Sequence, residues 1–75
     1  MTENLTHILI FKTNIDTEAD KLRIQALAAD LPMVEDLSID IDDIDRVLRV
    51  VSHELKAQQI INLINKAGYQ CQELD

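Results

Sequence analysis

Residues 53–69 carry the pattern that most limits how this chain can fold. Ala57, Ile60, Ile61, Ile64 and Ala67 recur at helical spacing, and Glu54, Lys56, Gln58, Gln59, Asn62, Asn65 and Lys66 fill the other faces. A single apolar stripe of that kind has to be laid on a core. Ser52 predicts the N-cap, Glu54 suits the positive helix start, and Lys66 suits the negative end. Gly68 predicts the stop, because glycine takes the left-handed conformation at no steric cost. The other segments must cover this stripe.

Leu5 to Thr13 reads as a strand. Ile8-Leu9-Ile10-Phe11 is apolar on both alternations, which suits a central strand with covered or partly covered faces. Thr17 to Leu31 reads as a helix, with Thr17 and Asp20 spaced like a capping box and Glu18 in the first turn. Ala19, Leu22, Ala26 and Ala29, widened by Leu27, are the predicted apolar stripe, and Pro32 ends the helix. Val34 to Asp42 is a strand in which Leu37, Ile39 and Ile41 alternate with Ser38, Asp40 and Asp42. Its acidic face suits an edge. Asp42 to Asp45 is a turn, Arg46 to Val51 returns as a β-branched strand with Leu48 and Val50 inward, and Gln70 to Leu74 is a short last strand.

The order strand, helix, strand, strand, helix, strand is the split βαβ, or ferredoxin-like, plan: an α+β fold. Right-handed crossovers put both helices on one face of a four-stranded antiparallel sheet, with strands one and three in the middle. Residues 1–75 read as one domain with no linker or low-complexity tract.

Composition narrows the function classes. The chain holds a single cysteine, so an internal disulfide and Cys-pair metal staples are excluded. A net charge of −7 argues against nucleic acid and anionic membrane, whose phosphates would be repelled. One Phe, one Tyr and no Trp leave no stacking platform for bases. The polar start and the short apolar run Ile8–Phe11 predict neither a signal peptide nor a membrane span, so a cytoplasmic protein is expected. No nucleophile–base pair or phosphate-cradling glycine loop is recognisable, so neither an enzyme nor a cofactor is expected.

The helix end Ile64-Asn65-Lys66-Ala67-Gly68-Tyr69, the turn Leu31-Pro32-Met33-Val34 and the strand Val34 to Ile41 resemble heavy-metal-associated domains. These are the small ferredoxin-like modules of copper chaperones and metal-pumping ATPases. The resemblance covers nearly the whole chain and implies a metal-trafficking scaffold. The family's Met-x-Cys-x-x-Cys motif belongs in the loop after the first strand. Here that stretch is Asn14-Ile15-Asp16-Thr17-Glu18-Ala19, with Asp16 and Ala19 at the two cysteine places. Cu(I) and Zn(II) favour paired soft thiolates, which a carboxylate and a methyl cannot replace. The chain therefore reads as a degenerate member with no assigned metal ligand. Cys71 is expected to be a small core residue, and His7 and His53 to lie at the opposite end of the sheet from this loop.

The same topology gathers three loops at one end, and with them Asp16, Asp42, Asp43, Asp45 and Tyr69. A solvated hairpin tip explains these residues. A docking face for a basic protein partner explains them too, and so does a weak hard-cation site, although the run from Asp40 to Asp45 lacks the glycine and distal glutamate of an EF-hand loop. The leading reading is a protein-interaction or regulatory module, with an edge-strand homodimer as a variant. The alternative is a Cu or Zn carrier that uses other ligands or a dimer interface.

Overall fold

Phe11, Leu48 and Val50 are fully buried, and their places in the strand ladder set the rest of the architecture. The computed structural model describes residues 7–74. Its elements are β1 (His7–Thr13), α1 (Glu18–Ala29), β2 (Asp36–Asp40), β3 (Val47–Ser52), α2 (Ala57–Lys66) and β4 (Cys71–Glu73). The sheet order is β2-β3-β1-β4, and every pairing is antiparallel. Phe11 stands opposite Leu48, and Leu9 opposite Val50. Ile39 and Leu37 continue those two rows onto β2. This is the ferredoxin-like arrangement expected from the pattern. The expected start of β1 at Leu5 and Thr6 lies outside the described residues.

The core joins one face of the sheet to the two helices. Phe11, Ile15, Ile24, Ile39, Leu48, Val50, Leu55, Ile60 and Ile64 form one buried cluster. Ala57, Ile61 and Ala67 pack against it, so the α2 stripe faces inward as its spacing predicts. On β2, Leu37 and Ile39 turn inward while Asp36, Ser38 and Asp40 stay exposed.

Two helix details differ from the sequence reading. The helix after β3 begins at Ala57, not at His53. Ser52 is buried, and its hydroxyl donates to the Met33 carbonyl at 2.6 Å while accepting the Glu54 and Leu55 N–H groups at 3.1 and 3.0 Å. It therefore closes a turn that buries Leu55, and the helix starts only after that turn. Lys56 takes the N-cap place, where the Gln59 side chain accepts its N–H at 2.8 Å. The C-terminus behaves as expected. Gly68 has φ of +102°, Tyr69 N–H donates to the Ile64 carbonyl, and Gly68 N–H donates to the Asn65 carbonyl. That pair of bonds is a Schellman motif, which satisfies the carbonyls at the helix end.

The second correction concerns α1. Its buried residues are Ile24 and Ala28, one turn apart. The predicted stripe faces outward: Ala19, Ala26 and Ala29 are exposed, Leu22 is 56% exposed and Leu27 is 38% exposed. Small and apolar residues surround this helix, so periodicity alone does not single out a face. The phase is set by its approach. Ile15 is fully buried, and the Thr17 hydroxyl then caps the Asp20 N–H at 3.1 Å. From that start Ile24 points to the core. Ile24→Ala should accordingly cost ~3 kcal/mol in urea unfolding, and Leu22→Ala less than ~0.5 kcal/mol. The opposite ranking would mean that α1 is rotated.

Candidate functional site

Register brings three loops to one end of the sheet. Thr13, the last residue of β1, stands opposite Cys71, the first residue of β4. The Thr13 N–H donates to the Asp45 carbonyl of the β2–β3 hairpin at 3.1 Å. Buried Thr13 is also a junction. Its hydroxyl donates to the Arg46 carbonyl at 2.6 Å and accepts the Ile15 N–H at 3.1 Å. Asn14 ties the same loop to the other side, its side-chain oxygen accepting the Gln70 N–H at 2.8 Å. The β1–α1 loop is thus bonded to both of its neighbours.

The hairpin aspartates are engaged in making the turn. Asp40 accepts the Asp42 N–H at 3.1 Å, and Asp43 accepts the Asp45 N–H at 2.8 Å. Short-range bonds of this type are why aspartate is favoured in turns. Arg46 leaves the turn at φ +47°, and both its N–H and its Nη1 donate to the Asp43 carbonyl. Lys12 Nζ lies 3.7 Å from Asp45 Oδ1, a surface pair worth at most about 1 kcal/mol. Two cations therefore sit among Asp42, Asp43 and Asp45, and the end is less negative than its aspartates alone imply. Asp16 is exposed just ahead of the α1 cap.

Tyr69 makes its contacts with α1. Its hydroxyl donates to Asp20 Oδ1 at 2.5 Å, and the Arg23 guanidinium lies over its ring, 5.8 Å from the centroid. The partners of Tyr69 are on α1 and not among the hairpin aspartates. Neither Asp20 nor Arg23 stood out in the sequence, because 49 residues separate Asp20 from Tyr69 and no local pattern links them. The hydrogen bond from Tyr69, helped by Thr17, holds the Asp20 carboxyl below its ordinary value. The same bond pushes the Tyr69 hydroxyl up. Asp20 thus contributes stability above its unfolded pKa that is lost as pH falls through the lowered folded value. Tyr69 contributes stability below its unfolded pKa that is lost as pH rises through its raised one.

The remaining ligand types do not converge. Cys71 is half-buried, packs against the core, and burial pushes its thiol up to about 11. A thiol held protonated is a poor nucleophile and a poor ligand. His7 pairs with Ser52 at the far end of the sheet, and His53 Nδ1 meets Glu35 Oε2 there. Among the described residues, no group of three or more His, Cys, Asp or Glu side chains is placed to hold a metal ion. None of the described helices is long and apolar enough to cross a membrane.

No protein-family model matches the sequence, and neither does any curated protein. Among solved structures, the chain is similar to oxidized MerP from Ralstonia metallidurans CH34, with a TM-score of 0.78 and 12% sequence identity. The match covers 93% of this chain and 99% of that one. At that identity the likeness shows the fold alone, a ferredoxin-like βαββαβ arrangement.

The Tyr69–Asp20 bond gives a direct test of this corner. In Tyr69→Phe, the Asp20 carboxyl should titrate higher by carboxyl-detected NMR, moving toward its ordinary value. An unmoved Asp20 would mean that the bond is not formed in solution.

Proposed function

We propose that this chain is a protein-interaction or regulatory module on a heavy-metal-associated-type scaffold, and that it works without a soft-metal site at the β1–α1 loop. One observation carries the reading. The loop that holds paired thiolates in the domains it resembles has Asp16 and Ala19 in their places, and its flanks are committed to internal bonds through Thr13 and Asn14. A carboxylate and a methyl cannot supply the ligands that Cu(I) requires.

The reading is non-enzymatic and cytoplasmic, with a lone half-buried thiol that asks for no oxidising compartment. The partner is a protein carrying basic residues that meets the exposed Asp16 and Asp42, where complementary charge speeds and orients encounter. The alternative, a Cu or Zn carrier using Cys71, is opposed by the packing of Cys71 against the core and by its raised pKa.

Two arms test the proposal. In equilibrium dialysis, the double variant Asp16→Cys with Ala19→Cys should gain tight Cu(I) binding that the wild type lacks. Comparable binding by both proteins would sink the metal-free reading. A basic partner captured on the wild type should be lost from Asp42→Lys with Asp43→Lys. Retention of that partner would move the docking surface away from the hairpin.

A further inference from the structure

The β1 strand is written for two covered faces, yet the helices cover only one. Its inward residues Leu9 and Phe11 join the core. Its outward residues Ile8, Ile10 and Lys12 lie on the open face of the sheet, where Ile8 is 59% exposed and Lys12 is paired with Asp45. Register places Val51 beside Ile8, and Val47 and Arg49 continue that face along β3. A solvated sheet face is ordinarily polar at such positions. A contiguous apolar patch at the centre of an open sheet marks a surface that another molecule covers.

The charges on this face indicate what that molecule is. Asp36 and Asp40 lie on β2 at the edge, paired with Val51 and Val47. Arg49 lies one strand inward, paired with Ser38 and Ile10. Among the described residues Arg49, Asp36 and Asp40 make no ion pair. The face thus carries both signs on neighbouring strands, with Arg49 standing between Val47 and Val51 on β3 and beside Ile10 on β1. A basic or an acidic partner would satisfy one sign and oppose the other. A second copy of the same face satisfies both, because a two-fold axis presents each copy's β2 carboxylates to the other's Arg49.

We infer that the chain forms a homodimer through the open face of its sheet, with Ile8, Ile10, Val47 and Val51 buried at the centre and Arg49 paired with the second copy's Asp36 or Asp40. Four strands about 4.8 Å apart, with β1 rising about 3.3 Å per residue, give a face on the order of 400 Å² before side-chain relief. That is about half of the area each partner contributes to a standard interface, so the dimer is weak and reversible. Two chains of net charge −7 repel at long range, but at 0.15 M salt that repulsion is screened beyond about 8 Å. This dimer leaves both sheet edges free and differs from edge-strand pairing. It is independent of whether the loop end binds metal or a basic protein.

The test is sedimentation equilibrium at 0.15 M salt, from about 10 µM to about 1 mM, the range in which a small interface associates. The wild type should show a monomer–dimer equilibrium. Arg49→Glu alone, and Asp36→Lys with Asp40→Lys in a second variant, should each weaken it at least tenfold, since each puts like charges face to face. An equimolar mixture of the two variants should dimerise again, because opposite charges then meet in both halves of the interface. Recovery on mixing also shows that both variants are folded. A wild type that stays monomeric at the highest concentration overturns the inference. So does a dimer unaffected by either variant, and so does a mixture that stays monomeric.

Discussion

The placement of β1 between β3 and β4 governs everything else in this molecule. Its inward side chain Phe11 is fully buried between the rows set by Leu48 and the two helices. With β1 and β3 central and crossovers right-handed, both helices must fall on the same side of the sheet. One side becomes the core, and no described helix covers the other. The ends of the strands are sorted by the same constraint. The β1–α1 loop, the hairpin and the start of β4 arrive together, and the two histidines arrive at the opposite end.

That sorting brings the loops of this ferredoxin-like scaffold into mutual contact at one end. The shared loop end is held together by Thr13, Asn14 and the Tyr69–Asp20 bond, all of which are internal to the chain. The aspartates there form turns, and Arg46 and Lys12 stand among them. Among the described residues, no group of three or more His, Cys, Asp or Glu side chains is placed there to hold a metal ion.

Much of this was legible in the residues. The alternation in Leu37-Ser38-Ile39-Asp40, the stripe on α2 and the Gly68 stop each rest on a local rule that tertiary packing reinforces. Strand order followed from topology alone. What failed was whatever depended on phase or on distant partners. The face of α1 was misread because Ala19, Leu22, Ala26 and Ala29 mimic a core stripe, while Ile24 and Ala28, anchored by the buried Ile15 and the Thr17 cap, take the inward position. The start of α2 was misread because Ser52 bonds to Met33, nineteen residues earlier, and caps a turn. The corner of Tyr69, Asp20 and Arg23 had no sequence signal, since a contact across 49 residues leaves no periodicity. The apolar doubling of β1 is plain in Ile8-Leu9-Ile10-Phe11, but which of its faces the described helices leave open depends on the topology.

On the function proposed above, the loop end of this scaffold stands without metal. The most direct measurement is an amide NMR titration of the reduced protein with Cu(I), Zn²⁺ and Ca²⁺ in turn. The account predicts no saturable shifts over residues 14–19 and 42–45 at large excess of any of the three. Saturable shifts centred on those residues would contradict it. The ion that produced them would show whether sulfur or oxygen supplies the site.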